Sequence, residues 1–239
     1  MLSYRKLAMR VLSRPLHTGR GIDSPRPASQ RAAAFILTAA MLTTLAAPAF
    51  AGTWYIEDGN ITISAGTEAG TNKVEQAGKD TVDNDKDTII TNQNKDKASS
   101  NTVTIDAGSD KVEVTLQDVN IKADSGSALT SKGDVTLTLK GDNHLTGGIS
   151  GTGNYGRNGI ASTGSLTISG GENDSLTAQG GAGGSGIHIS RNGSLTISGG
   201  TVTANGDDGG SGIYSSNSSN SSSLTISGGT VTANGDDGG

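Results

Sequence analysis

The chain has 239 residues, of which 37 are glycine and only 3% are aromatic, so a core of large aromatic side chains is excluded. Four prolines exclude a proline-rich or collagen-like chain, and the absence of cysteine excludes a disulfide framework and a thiolate metal site. The formal net charge is −5 at pH 7.

The first 51 residues have the composition of a secretion signal. Seven basic residues accompany an apolar run over residues 32–47, and Ala49-Phe50-Ala51 places small side chains where a signal peptidase reads them. A transmembrane anchor is the alternative, but a bilayer span needs about 20 apolar residues. We therefore predict a signal peptide over residues 1–51, a mature chain that starts at Gly52, and no membrane insertion after cleavage.

Removal of this leader would make the protein strongly acidic. The leader holds seven of the 18 basic residues and one of the 23 acidic ones, which leaves 11 basic and 22 acidic residues and a net charge of −11. Such a surface repels nucleic acid and anionic lipid, and it suits calcium, cationic partners or neutral glycans. Export without disulfides is typical of bacterial proteins. We predict a secreted or cell-surface location.

Residues 52–100 are predicted to form an N-terminal cap or a linker. They are mainly polar, with strand candidates at Ile61–Ile63 and Thr88–Ile90. A solenoid needs a cap because its terminal strand edges and core would otherwise be exposed. The tripeptide Trp54-Tyr55-Ile56 would be the apolar anchor of that cap, and a solvated linker is the alternative.

A repeat dominates the rest of the chain. The heptapeptide Ser-Leu-Thr-Ile-Ser-Gly-Gly starts at Ser165, Ser194 and Ser223, with a spacing of 29 residues. A second match, between residues 177–187 and 203–213, has a shift of 26. We therefore predict coils of about 26 residues with three-residue insertions in loops, the pattern of a solenoid.

Apolar residues alternate with polar ones from Val103 onward, and glycine-rich turns divide each coil into three short strands. These features predict an all-β, right-handed parallel β-helix over residues 101–239. An antiparallel β-sandwich is the alternative, but it does not explain near-identical units at fixed spacing. Because the chain ends within a repeat, we expect its C-terminus to be truncated. The predicted internal ladders are Leu166, Leu195, Leu224 and Ile168, Ile197, Ile226, and the predicted external ladder is Thr167, Thr196, Thr225.

Several short segments share this alternating pattern. They are Asp58–Ile63, Ser100–Ile105, Val114–Ile121, Ser127–Leu129 and Val135–Leu139. Together with the heptapeptides, they resemble bacterial surface proteins of the calcium-containing, carbohydrate-binding β-helix family, whose fold is similar to that of pectate lyases. The resemblance implies a surface location, calcium, and binding of polysaccharide from plant cell walls or a host.

Two acidic pairs, Asp207-Asp208 and Asp236-Asp237, are the candidate calcium ligands. If the corners stack, equivalent carboxylates would lie about 4.8 Å apart, and each repulsion would cost roughly 1 kcal/mol in water. A calcium ion would relieve this repulsion because carboxylate and carbonyl oxygens are its natural ligands. The alternative is two solvated turns whose side chains point apart.

Tyr155 and Tyr214 are the candidate glycan-binding residues. Flat aromatic rings stack on sugars, and the mature chain has few of them. Isolated tyrosines also cover glycine-rich turns, which is the alternative. The polar Thr, Ser and Asn ladders would have to contribute much of any glycan binding.

No catalytic group is predicted. A polysaccharide lyase needs a basic residue beside calcium, but Arg157 and Arg191 both open Arg-Asn-Gly turns without an evident carboxylate cluster. No carboxylate pair indicates a glycosidase, and His144 and His188 are expected to be isolated surface or turn residues. The sequence therefore predicts a non-catalytic, glycan-binding adhesin module, with a structural stalk as the alternative and a lyase as a third hypothesis.

Overall fold

Alternating apolar and polar residues form strands throughout the part of the chain that the computed structural model describes, residues 52–149, 157–190, 192–216 and 222–237. Within these ranges the helical structure is one 3-10 turn, Ile56–Asp58. The strands are β1 Thr53–Tyr55, β2 Ile61–Ala65, β3 Asn72–Gln76, β4 Val82–Asp85, β5 Ile89–Thr91, β6 Val103–Gln117, β7 Asn120–Lys122, β8 Leu129–Lys140, β9 Asp142–Thr146, β10 Ile160–Gly170, β11 Ser175–Gln179, β12 Ile187–Ile189, β13 Ser194–Ile197, β14 Thr201–Asn205, β15 Ile213–Ser215, β16 Ser223–Ile226 and β17 Thr230–Asn234.

The strands stack in parallel in two sheets. A 12-stranded sheet runs from β2 through β6, β8 and β10, and β10 then pairs with both β12 and β13. A five-stranded sheet has the order β17-β14-β11-β9-β7. Successive coils thus form a parallel β-solenoid of about five turns, which confirms the predicted parallel β-helix. The antiparallel sandwich is excluded, because antiparallel pairing among the described strands is confined to β2, β3 and β4.

The predicted coil size of about 26 residues is not confirmed as a general value. Ile187 and its partner Ile213 are 26 positions apart, but Asp142 and its partner Ser175 are 33 apart. The heptapeptide strands β10, β13 and β16 pair at the sequence spacing of 29. Strand register is therefore constant while the connecting loops differ in length.

Leucine and isoleucine ladders fill the interior as predicted. Leu166 pairs with Leu195, and Ile168 pairs with Ile197; these side chains are at most 1% exposed. The same ladders continue to Leu224 and Ile226 on β16, where the side chains are 51% and 52% exposed. The alternation of inward and outward side chains thus follows the period of two that the sequence predicted.

A sharp bend at Gly164 gives the coil its corner. Residues 160–162 of β10 pair with β12, and residues 165–168 pair with β13, so the strand changes direction between them. Gly164 has a φ of +115°, a region that side chains other than glycine rarely adopt. A Cβ at this position would lie 2.6 Å from the carbonyl oxygen of Gly133 on the neighbouring coil.

The N-terminal segment is folded against the first coil. β1 pairs with β5, β5 pairs with β6, and β2 pairs with β6, all in parallel, while β3 and β4 add an antiparallel extension. The strand candidates at residues 61–63 and 88–90 correspond to β2 and β5. Trp54 and Ile56 are buried as the apolar anchor, whereas Tyr55 is 37% exposed because it points to the opposite side of β1.

Asn143 is a polar residue at an internal ladder position. It is paired with Leu176 on the next coil and is fully buried. Its Oδ1 accepts the backbone N–H of Val119 over 3.0 Å, and its Nδ2 donates to the carbonyl oxygens of Lys140 and Ser175. The buried amide therefore satisfies backbone groups of three successive coils where the chain turns between sheets.

Candidate functional site

The four aspartates predicted to bind calcium lie on two stacked corners. Asp207 and Asp208 follow β14, Asp236 and Asp237 follow β17, and these strands pair in register. The backbone N–H of Asp208 donates to Oδ2 of Asp236 over 2.9 Å. The sequence thus correctly predicted that equivalent corners stack, but the closest contact joins a carboxylate to a backbone N–H group.

This corner partly neutralises its own charge. Hydrogen bonds from the backbone N–H groups of Asp237 and Asp208 hold the pKa of the Asp236 carboxyl below its ordinary value. Asp208, Asp236 and Asp237 are exposed. Among the described residues, no group of three or more His, Cys, Asp or Glu side chains could hold a metal ion. The side chains of this corner therefore fit a calcium ion poorly, and calcium binding stays a prediction.

Tyr214 and His188 form an aromatic stack between two coils. They occupy equivalent positions on β15 and β12, and their ring centroids are 5.3 Å apart with an interplanar angle of 16°. Tyr214 is 43% exposed, whereas His188 is 2% exposed. The tyrosine ring is thus held flat by the coil below, and the ring face turned away from His188 is left for another planar or cyclic group.

His188 is not the isolated surface residue that the sequence predicted. It lies between Ile187 and Ile189 on a strand whose three residues are all buried. Burial lowers its pKa below the ordinary value because the charged imidazolium would lose its hydration. The prediction was wrong because the ring that covers His188 belongs to the next coil, 26 residues further along the chain.

Acidification from pH 7.5 to 5.5 is expected to lower the Tm by a few degrees through His188. Because the folded protein keeps this ring neutral, its contribution to stability is complete above about pH 6.5 and is lost as pH falls toward the lowered pKa. His188→Phe should abolish this part of the pH dependence, measured by thermal unfolding. His144→Phe, at an exposed position on β9, is the control and should leave it intact. Equal pH dependence in the His188→Phe protein and the parent would contradict this assignment.

The outer face of the five-stranded sheet carries a regular array of hydroxyl and amide groups. Asn234 Nδ2 donates to Asn205 Oδ1 over 2.8 Å, so the amides form a ladder from coil to coil. Strand geometry sets the spacing of such arrays at about 4.8 Å between coils and about 6.8 Å along a strand. The outward residues are Ser175, Thr177, Gln179, Thr201, Thr203, Asn205, Thr230, Thr232 and Asn234.

A cleft that sequence reasoning missed lies beside the β2–β3 loop. It has a volume of about 530 Å³ and is lined by residues 65–72 together with Lys86, Asp110, Lys111 and Glu113. Lys111 and Glu113 are paired at 2.5 Å. The sequence signal was weak because the lining comes from a polar stretch without a motif.

The remaining candidate residues are not brought together. Tyr155 and Arg191 lie outside the described residues. Arg157 is partly buried, with its backbone oxygen accepting the N–H of Gly181, and His144 is exposed on β9. The structure thus provides no grouping of these residues that would indicate a lyase.

Fold and site together define a repeat protein of the parallel β-solenoid class. The chain matches no protein-family model, no curated protein and no solved structure. In the part of the chain that the structure describes, no helix is long and apolar enough to cross a membrane.

Proposed function

We propose that this protein is an exported, non-catalytic β-solenoid of the bacterial cell surface that binds polysaccharide. The observation that carries the proposal is the half-exposed ring of Tyr214, held flat by the buried ring of His188. Pyranose rings stack on aromatic faces of this kind, and a ring that is already ordered loses little conformational freedom on binding.

The polar array on the five-stranded sheet is the second element of this proposal. Its hydroxyl and amide groups repeat from coil to coil, so an extended polymer could form the same hydrogen bonds at successive coils. A polymer gains affinity from many such contacts, although each one is weak. The excess of acidic residues favours neutral or cationic glycans over uronates, since like charges repel.

Replacement of Tyr214 by alanine is expected to weaken polysaccharide binding about 2- to 10-fold, which corresponds to the loss of one aromatic stacking contact. Binding is measured by calorimetry on a polysaccharide that a glycan array or pull-down has first identified. Tyr55→Ala is the matched control, because Tyr55 is similarly exposed but lies in the N-terminal segment. Equal losses in the two variants would contradict a role for Tyr214.

A structural stalk is the second candidate function. The continuous internal ladders favour it, since stacked coils form a rigid rod that needs no ligand. The two functions differ in one observation: a stalk would be retained on no polysaccharide, with or without calcium. A third hypothesis, lyase activity, would be revealed by unsaturated-uronate absorbance on pectate, and we expect none.

Calcium, if it acts here, is expected to bind through Asp207, Asp208, Asp236 and Asp237. A titration should then release heat and raise the Tm, and the double variant Asp207→Asn, Asp236→Asn should lose both responses. Asp83→Asn, which alters an exposed aspartate of β4, is the control. A parent protein that shows neither heat nor a Tm shift would remove calcium from the proposal.

A further inference from the structure

Asp85 is a carboxylate buried within the N-terminal segment. It lies at the end of β4 and is 0% exposed. Its Oδ1 accepts the backbone N–H of Gly52 over 2.8 Å, and its Oδ2 accepts the indole N–H of Trp54 over 3.0 Å. Both oxygens therefore bind donors contributed by the first three residues that the structure describes.

This buried carboxylate has no cationic partner among the described residues. The ion pairs closer than 4.0 Å there join other carboxylates, those of Glu75, Asp58, Glu113 and Asp106. A carboxylate removed from water is strongly destabilising unless hydrogen bonds and an opposite charge compensate it. The two neutral N–H donors supply the hydrogen bonds, and the opposite charge has to come from another source.

Gly52 is fixed in place beside Asp85. Its carbonyl oxygen accepts the N–H of Ile89 over 2.9 Å, which continues the pairing of β1 with β5. A Cβ on this residue would lie 2.5 Å from Oδ2 of Asp85 and 2.5 Å from Nε1 of Trp54. The packing therefore admits only glycine here without a shift of its neighbours, and it directs the nitrogen of that glycine at the carboxylate.

The same glycine directly follows the small-residue motif Ala49-Phe50-Ala51. Two independent features thus meet at one atom. The sequence marks the bond before Gly52 for cleavage, and the fold places the nitrogen of that bond 2.8 Å from a buried carboxylate.

We propose that removal of the leader creates an ion pair between the new α-ammonium group of Gly52 and the carboxylate of Asp85. A leader peptidase uses one water molecule to hydrolyse the Ala51–Gly52 amide, which gives a carboxylate on Ala51 and an amine on Gly52. The amine takes up a proton, since the ordinary pKa of an α-amino group is about 7.7 to 8.0. The inference rests on the export that the proposed function includes, but not on glycan binding.

This ion pair would make the mature protein more stable than a chain that continues beyond Gly52. Before cleavage, the donor to Asp85 is a neutral amide N–H; afterwards it is an ammonium group at the same place. Hydrogen bonds between charged partners are roughly twice as strong as neutral ones. The N-terminal segment that covers the first coil would therefore be held most firmly once the leader is gone.

The first test is the N-terminal residue of the exported protein. The full chain is expressed in an exporting bacterium, and the secreted or surface-bound protein is analysed by intact mass and N-terminal sequencing. We expect it to start at Gly52, and any other first residue would overturn the proposal. A protein that starts at Gly52 but binds no polysaccharide would contradict the proposed glycan binding alone.

The second test moves the charge by one residue. Insertion of a serine between Ala51 and Gly52 leaves the small-residue motif intact, so the exported variant should start with Ser-Gly52, which intact mass verifies. This variant keeps the N–H of Gly52 but moves the ammonium group away from Asp85. We expect its Tm to be about 3 to 8 °C below that of the parent. Equal Tm values would overturn the proposal.

Asp85→Asn tests whether the effect passes through the carboxylate. In this background the serine insertion should change the Tm by less than a third of its effect in the parent, whereas Asp83→Asn, on the exposed side of the same strand, should retain the full effect. An undiminished effect in the Asp85→Asn background would overturn the pairing. If that variant does not accumulate, selective acetylation of the α-amino group of the parent replaces it. Acetylation keeps an N–H donor and removes the charge, so it should lower the Tm as the serine does; an unchanged Tm would overturn the pairing.

Discussion

Ile168→Ala is expected to lower the free energy of unfolding by about 2 to 5 kcal/mol. Ile168 is fully buried, and its ladder neighbours are Leu137 on one coil and Ile197 on the next. The truncated side chain would leave a cavity that the neighbouring coils cannot close, because hydrogen bonds fix the spacing of the strands. Urea denaturation followed by circular dichroism measures the loss.

Ile226→Ala is the matched control for this cavity. Ile226 belongs to the same ladder and the same heptapeptide, but it is 52% exposed. Its truncation should cost less than about 1 kcal/mol, since the side chain is already partly in water. Similar losses in both variants would mean that burial within the ladder does not determine stability.

Gly164→Ala is expected to cost about 2 to 6 kcal/mol, because it combines backbone strain with steric overlap. The φ of +115° is unfavourable for alanine, and the new Cβ would lie 2.6 Å from the carbonyl oxygen and 2.9 Å from the nitrogen of Gly133. Both contacts are with backbone atoms of the neighbouring coil, so no side-chain rotation can relieve them. The measurement is again urea denaturation.

Gly78→Ala separates the two causes of this loss. Gly78 also has a positive φ, +78°, but a Cβ there would have nothing within 4 Å. Its replacement should therefore cost only the backbone term, about 1 to 2 kcal/mol. If both alanine variants lost the same amount, the close approach of neighbouring coils at Gly164 would have no energetic importance.

The repeating part of the fold was predictable from the sequence. Leu195 and Ile197 recur in identical heptapeptides, so a period of two within each copy and a constant spacing between copies were enough to assign both ladders. The shift of 26 that aligned residues 187 and 213 also contained the stack of His188 on Tyr214. That contact was missed because each aromatic residue was considered by itself.

The N-terminal strands were much less predictable. On β3 the buried positions are Asn72, Val74 and Gln76, so two of the three inward side chains are amides. Gln76 donates to the backbone oxygen of Tyr55, and Asn72 donates to that of Glu113. A hydrophobic periodicity cannot reveal such a strand, because its inward side chains are stabilised by hydrogen bonds to distant backbone groups. The buried Asp85 escaped notice for the same reason.

The constant register of the coils has a consequence for how the chain folds. Paired strands are close in sequence: Asp142 and Ser175 are 33 positions apart, and the widest separation among the described strand pairs, between Ile61 and Val103, is 42. Folding rate depends on such separations more than on total length. Each coil can therefore dock onto the one before it as soon as it emerges from a translocation channel, so the protein can fold progressively from its N-terminus during export.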